Sequence, residues 1–217
     1  MKKERLKELN RLIQKQINLG SIRGASVCVI QNDEVQFKNQ LGYADYEKGL
    51  PMQGDTIFRM YSMTKPVTSV AVMILYERGL LDLMSPVATF LEGFKNQKVR
   101  RQTGYEELVR PVTIQHLLDM TAGIVYPDSS FAAGNEMQKL FSQVEEGLRN
   151  GRNISTVEFM NEVGKQPLEF QPGESWRYGA CADVLGAVVE VVSGMKYGEF
   201  LKKEIFSLTV FKPEYLS

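Results

Sequence analysis

The run Phe58-Arg-Met-Tyr-Ser-Met-Thr-Lys-Pro-Val-Thr-Ser-Val-Ala-Val-Met-Ile-Leu75 constrains this chain more than any other segment. Pro66 lacks a backbone N–H and is tolerated in a helix only near its start. Val67 to Leu75 is apolar on nearly every face, which reads as a buried helix, predicted over 62–79 and beginning close to Ser62. Lys65 then lies one turn after Ser62 on the same face. A serine hydroxyl becomes a usable nucleophile only when a neighbouring base takes its proton, so the pair points to acyl transfer. Desolvation by the apolar run would favour a neutral lysine, and the positive end of the helix would face an oxyanion forming at the serine. One local conflict stands, because a residue before proline disfavours the α region and that residue is Lys65.

Ser-x-x-Lys alone is weak, since roughly one match is expected by accident in a chain of this length. A second match, Ser193-Gly194-Met195-Lys196, puts its glycine where a helix stops, so its serine and lysine straddle a break. For Ser62 the plain alternative is a helix cap beside a solvated lysine.

The residues around Ser62 resemble the serine β-lactamase-like family, which includes class C β-lactamases, D-Ala-D-Ala carboxypeptidases, penicillin-binding proteins and related esterases. Gly42 to Met52 with Asp55-Thr-Ile-Phe-Arg59 is similar to the approach to that family's nucleophile, and Glu77 to Asp82, Ser85-Pro-Val87 and Phe90-Leu91 to the segment after it. Val112 to Ile124 and Phe170-Gln-Pro-Gly-Glu-Ser-Trp-Arg-Tyr178 are similar to two further blocks, so the resemblance covers about residues 25 to 206. It implies an α/β (α+β) fold of the β-lactamase/transpeptidase type and a covalent acyl-enzyme on Ser62, with Lys65 and Tyr178 as the other catalytic groups. Near an ammonium, a phenol that normally titrates near ~10 shifts toward phenolate and becomes a base. Taken without the resemblance, Tyr178 beside Trp176 reads as a packing aromatic.

Two departures from the family pattern matter. Where penicillin-recognising branches continue Tyr-x-Asn, this chain reads Tyr178-Gly179-Ala180, and the missing amide favours an esterase over a β-lactamase. No Lys-Thr-Gly or His-x-Gly tripeptide occurs, whereas the family's late strand with that motif supplies one of two oxyanion donors. The sequence therefore reads as one β-lactamase-related domain incomplete at its C-terminus, with 1–58 giving a helix and a hairpin and 59–206 a helical region. The expected substrate is a small ester or amide. The alternatives are a β-lactamase or D-Ala-D-Ala carboxypeptidase, or an inactive fragment or ligand-binding pseudoenzyme.

The 26 basic side chains balance 26 acidic ones, so no electrostatic footprint for nucleic acid exists. With 43% hydrophobic residues the 217-residue chain can bury a sizeable core. The N-terminus lacks a signal-peptide apolar core and no apolar stretch reaches ~18 residues, which leads to an expectation of a cytoplasmic protein without a membrane span. Self-association through the incomplete sheet is expected. No metal or cofactor is expected. His116 is the sole histidine and lies away from the Ser62 block, on a short amphipathic segment, where it reads as a surface or packing residue. Cys28 and Cys181 are too few for a zinc set and read as reduced packing residues, and Asn153-Ile-Ser155 is a chance sequon.

The remaining periodicities predict a first amphipathic helix ending at Gly20, an antiparallel hairpin turning at 31–34, and helices over 85–92, 113–120, 135–150, 155–164, 180–193 and 197–206. Leu91 to Pro111 reads as a polar link.

Overall fold

The computed structural model describes residues 3–208, which form helices with small antiparallel sheets. The chain divides into two compact units, one running to Arg59 and one beginning at Met60.

The first unit holds α1 (Lys3–Asn18), β1 (Gly24–Gln31), β2 (Glu34–Asp45) and β3 (Leu50–Pro51), in the antiparallel order β1-β2-β3. Gln31 pairs with Glu34 across a two-residue turn in which Asn32 and Asp33 take φ of 53° and 59°. Asn and Asp tolerate that left-handed geometry, whose twist matches the strands it joins. The sheet is thus the expected hairpin with a short third strand added. The α1 helix lies on β2, where Asn39 Nδ2 donates to Asn10 Oδ1 at 2.7 Å. Cys28 is exposed on β1, contrary to the packing role expected from its apolar neighbours, because strand alternation turns it away from the covered face.

The second unit contains α2 (Thr64–Glu77), β4 (Lys98–Arg100), β5 (Tyr105–Glu107), α3 (Ile114–Leu118), α4 (Ala132–Arg149), α5 (Thr156–Gly164), α6 (Cys181–Ser193) and α7 (Tyr197–Glu204). Its core is built on α6, whose residues from Val184 to Glu190 are all buried, and against which α2, α3, α5 and α7 pack. Gly194, in the left-handed region at φ 67°, ends α6, so Ser193 and Lys196 fall on either side of a helix break as the sequence implies.

Three expectations are corrected in this unit. The α2 helix is not enclosed on all sides: Thr68, Ala71, Val72 and Leu75 are buried, but Val70, Met73 and Tyr76 are each more than 40% exposed. An all-round apolar sequence cannot specify which face finds a partner, and here one face does. The segment 85–92 forms only 3₁₀ turns at Val87–Thr89 and Glu92–Phe94. Pro86 bridges to Thr113 and Val87 N–H donates to the Val112 carbonyl, so this backbone is committed to an extended contact where a helix would need it. Within the supposed polar link, β4 and β5 form a hairpin tied across by Lys98–Glu107 and Arg101–Glu106 ion pairs at 2.6 Å. Three-residue charged strands carry too little alternation to be seen in sequence. Buried Gln171 pins the hairpin, donating to Glu106 and to the Glu107 carbonyl while accepting from Val109 N–H.

Among the described residues no helix is long and apolar enough to cross a membrane, and no cluster of three metal-ligating side chains occurs.

Candidate active site

Ser62 lies in a single 3₁₀ turn, Tyr61–Met63, that feeds directly into α2. Lys65 and Pro66 occupy the first turn of α2, where the proline's missing N–H costs nothing. The conflict at Lys65 is resolved because the helix starts only two residues before the proline. The residue before the serine bears the strain: Tyr61 has φ 44°, an uncommon left-handed conformation for an aromatic residue. The turn leaves Ser62 exposed, with Lys65 Nζ 3.4 Å from its Oγ.

Tyr178 is brought to the same oxygen from 116 residues away, its hydroxyl 2.5 Å from Ser62 Oγ. The strip 120–126 and the strip 169–177 are laced together by backbone bonds: Glu169 N–H to Gly123 O, Gly173 N–H to Thr121 O and Arg177 N–H to Met120 O. Gly123, at φ 80°, and Gly179 permit this closeness, since a Cβ on Gly123 would meet the Phe170 carbonyl oxygen and one on Gly179 the Ile124 carbonyl oxygen. Gly179 follows Tyr178 directly, so the residue type after the tyrosine is dictated by backbone contact.

The lacing also delivers Tyr126, which sequence reasoning missed. Its hydroxyl accepts from Lys65 Nζ at 3.2 Å and donates to Asp183 Oδ2 at 2.8 Å. Asp183 stands in the first turn of α6, where the helix dipole favours a carboxylate. A chain of groups results: Asp183, Tyr126, Lys65, Ser62, Tyr178. Lys65 is half-buried instead of enclosed by the apolar run, and its Nζ lies 4.9 Å from the centre of the Tyr178 ring and 5.6 Å from that of Tyr126. The two rings are 5.9 Å apart. The only sequence signal for Tyr126 was its place just beyond the Val112–Ile124 block, and for Asp183 its place at a helix start.

The environments of the two tyrosines push them apart chemically. The hydrogen bond between Tyr178 and Ser62, followed by the neighbouring Lys65, holds the Tyr178 phenol below its usual 10.0. Burial, followed by the negative charge of Asp183, drives Tyr126 well above that value. Groups separated in this way take different roles: Tyr178 is the one suited to exchange a proton, and Tyr126 stays a neutral phenol that receives Lys65 and gives to Asp183. Beneath them, Tyr197 and Thr68 are hydrogen bonded at 2.7 Å, with burial raising the Tyr197 phenol.

His116 takes no part. Its Nδ1 accepts from Thr113 N–H and its own N–H donates to Thr113 Oγ1, a capping box that starts α3. Burial, then the nearby Arg110, lowers its pKa below 6.5 and keeps the accepting nitrogen unprotonated. Cys181 is fully buried, and burial pushes its thiol up to about 12, as suits a packing residue.

A serine at a strained turn before a buried-face helix, a lysine one turn on and a tyrosine on a return strip form a candidate acyl-transfer site. The chain belongs to the β-lactamase family, whose model matches residues 9–214. It is 38% identical to esterase EstB of Burkholderia gladioli over 174 residues, covering 79% of this chain and 41% of that one. Penicillin-binding protein 4* of Bacillus subtilis is 28% identical over 207 residues, covering 95% of this chain and 40% of its own length. Among solved structures, EstCE1, a hydrolase with promiscuous acyltransferase activity, superposes with a TM-score of 0.80 at 28% identity, covering 95% of this chain and 52% of that one. The chain thus spans about half, or less, of the length of these relatives.

Proposed function

We propose that this chain carries the nucleophile and proton-transfer groups of a serine hydrolase that cleaves small esters through an acyl-enzyme. The observation that carries the reading is the Ser62 hydroxyl held between two partners, Tyr178 at 2.5 Å and Lys65 at 3.4 Å. Tyr178, ionised beside Lys65, takes the proton of Ser62 as Oγ attacks the carbonyl carbon. The bond to the alkoxy oxygen then breaks, and Tyr178 returns the proton to that oxygen. Water, activated by the same group, releases the acid. Lys65, held by Tyr126, stabilises the phenolate and the charge gathering at Ser62. The esterase EstB relationship supports an ester substrate. Ala180, buried and without a side-chain amide, weighs against recognition of a β-lactam or D-Ala-D-Ala peptide.

Both units are read as parts of one catalytic domain. The two unpaired cysteines support a reducing, cytoplasmic compartment. Self-association through the sheet is supported by exposed Ile30 and Val35 on the hairpin and by the octameric assembly of a penicillin-binding protein homologue from Pyrococcus abyssi, with a TM-score of 0.67.

The test is a fluorophosphonate probe followed by peptide mapping. The label is expected on Ser62 and is expected to vanish in Ser62→Ala, and labelling that persists in that variant would remove the central residue. Parallel assays with p-nitrophenyl esters, a chromogenic cephalosporin and D-Ala-D-Ala peptides decide the substrate class, with measurable turnover expected only for the esters.

A further inference from the structure

A cavity of about 690 Å³ opens beside Ser62 and runs between α2, α4, α5 and α6. Its lining joins the polar Ser62, Lys65 and Tyr126 to an apolar wall of Val144, Leu148, Ile154, Phe159, Met160 and Gly186, with Thr68, Ser155, Thr156 and Tyr197 adding further polar groups. The size and the mixture of a few polar groups with an apolar wall suit a small-molecule ligand. Gly186 leaves room where a side chain would otherwise stand: it is buried in the middle of α6, and a Cβ built on it meets only the Tyr197 ring, at 3.8 Å. Along the apolar wall Leu148 is 50% exposed, Val144, Ile154 and Phe159 are half-buried, and Met160 and Gly186 are buried.

Resting on the Ser62 and Tyr178 roles proposed above, we infer that this cavity receives the acyl part of the ester, and that it selects a medium-length, unbranched apolar acyl chain with Gly186 setting the depth. The direction follows from proton bookkeeping. Tyr178 must face the alkoxy oxygen to protonate it as the bond to the carbonyl carbon breaks, and Tyr178 is not among the residues that line the cavity. The alcohol therefore departs on the Tyr178 side. The carbonyl carbon bonded to Ser62 Oγ keeps its alkyl chain on the other side, in line with the apolar wall.

Acylation rates of the full chain with p-nitrophenyl acetate, butyrate, hexanoate and octanoate measure this selection. Each methylene that enters the cavity is expected to raise the rate constant for acylation about fourfold, the factor for one buried methylene. Lengthening the alcohol instead, from ethyl to hexyl acetate, is expected to give no such gain. Gly186→Leu, projecting into the cavity, is expected to cut the hexanoate-to-acetate ratio at least ~10-fold, and Gly186→Ala, which a helix accepts readily, to lower it less. A flat acyl series, a gain that follows the alcohol, or a ratio untouched by Gly186→Leu would overturn the inference. Binding separates this outcome from failure of the Ser62 reading. In Ser62→Ala protein, saturation-transfer NMR should show saturable contacts to the methylenes of methyl hexanoate, weakened by Gly186→Leu, and none for methyl acetate. Equal signals from both esters, or no effect of Gly186→Leu, would overturn the acyl cavity even if Ser62 proved to be the nucleophile.

Discussion

Replacing Tyr126 by Phe removes one oxygen and keeps the ring that packs 5.9 Å from Tyr178. That oxygen serves two charged groups at once, accepting from Lys65 at 3.2 Å and donating to Asp183 at 2.8 Å. Hydrogen bonds to charged groups contribute about 1.5–3 kcal/mol each. The two losses are unequal in consequence. Asp183 is exposed and at a helix N-terminus, so water and the helix dipole take over from the phenol, and the stability cost should be only about 1 kcal/mol. Lys65 is half-buried and loses the acceptor that fixes its Nζ next to Ser62. The bond is on the long side, so the lower value applies, and about 1.5 kcal/mol corresponds to roughly tenfold in rate. Loosening of the lysine relative to the serine adds to this, and the expected loss in Ser62 labelling rate is about 10- to 100-fold. Stopped-flow labelling with a fluorescent fluorophosphonate, alongside a urea unfolding curve, measures both quantities. Asp183→Asn is the control: an amide oxygen still accepts the Tyr126 proton, so the loss should be about threefold or less. A folded Tyr126→Phe protein that labels at the rate of the parent would refute the argument that Tyr126 positions Lys65.

The rate of Ser62 labelling should rise with pH along a curve centred below 10.0, because Tyr178 is held below its ordinary value and in the proposed mechanism acts when ionised, and Tyr178→Phe should flatten the curve and lower the rate by at least ~10²-fold. Gly123→Ala places a Cβ at φ 80° against the Phe170 carbonyl, and combines a left-handed penalty of about 1 kcal/mol with overpacking of about 1–3 kcal/mol, so its urea midpoint should fall sharply and Tyr178 should lose its register; an unchanged midpoint would contradict the lacing argument. His116 is depressed when folded, so its contribution to stability is present above 6.5 and is lost as pH falls below that value, when protonation turns the accepting nitrogen into a donor; urea midpoints should drop between pH 7 and 5, and His116→Gln, which keeps an acceptor at the same capping position, should lose that dependence. Light scattering during size-exclusion chromatography should find oligomers or aggregates that Ile30→Lys and Val35→Lys together reduce, while a monodisperse monomer of the parent chain would count against association through the hairpin.

Spacing along one chain segment carried a large part of this protein. Proline at the start of an apolar run fixed where α2 begins, and the three-position step from Ser62 to Lys65 places both on one face of the turn, because helical geometry is local and repeats every 3.6 residues. The Asn32–Asp33 turn and the glycine break after Ser193 were legible for the same reason. Tyr178 was visible only through the resemblance of its block, since nothing in its neighbours distinguishes a catalytic phenol from a packed one. Tyr126 and Asp183 were not visible at all. They are 57 residues apart, and their meeting depends on the backbone bonds between the strips 120–126 and 169–177 and on the entry of α6 beside them. The same packing decided which side of α2 is covered, turned 85–92 away from helix by giving its backbone to Val112 and Thr113, and set the opposite shifts of the two tyrosines. Local propensity selects the elements; burial, charge and close backbone approach across long sequence separations select their partners, and those quantities exist only once the chain has folded.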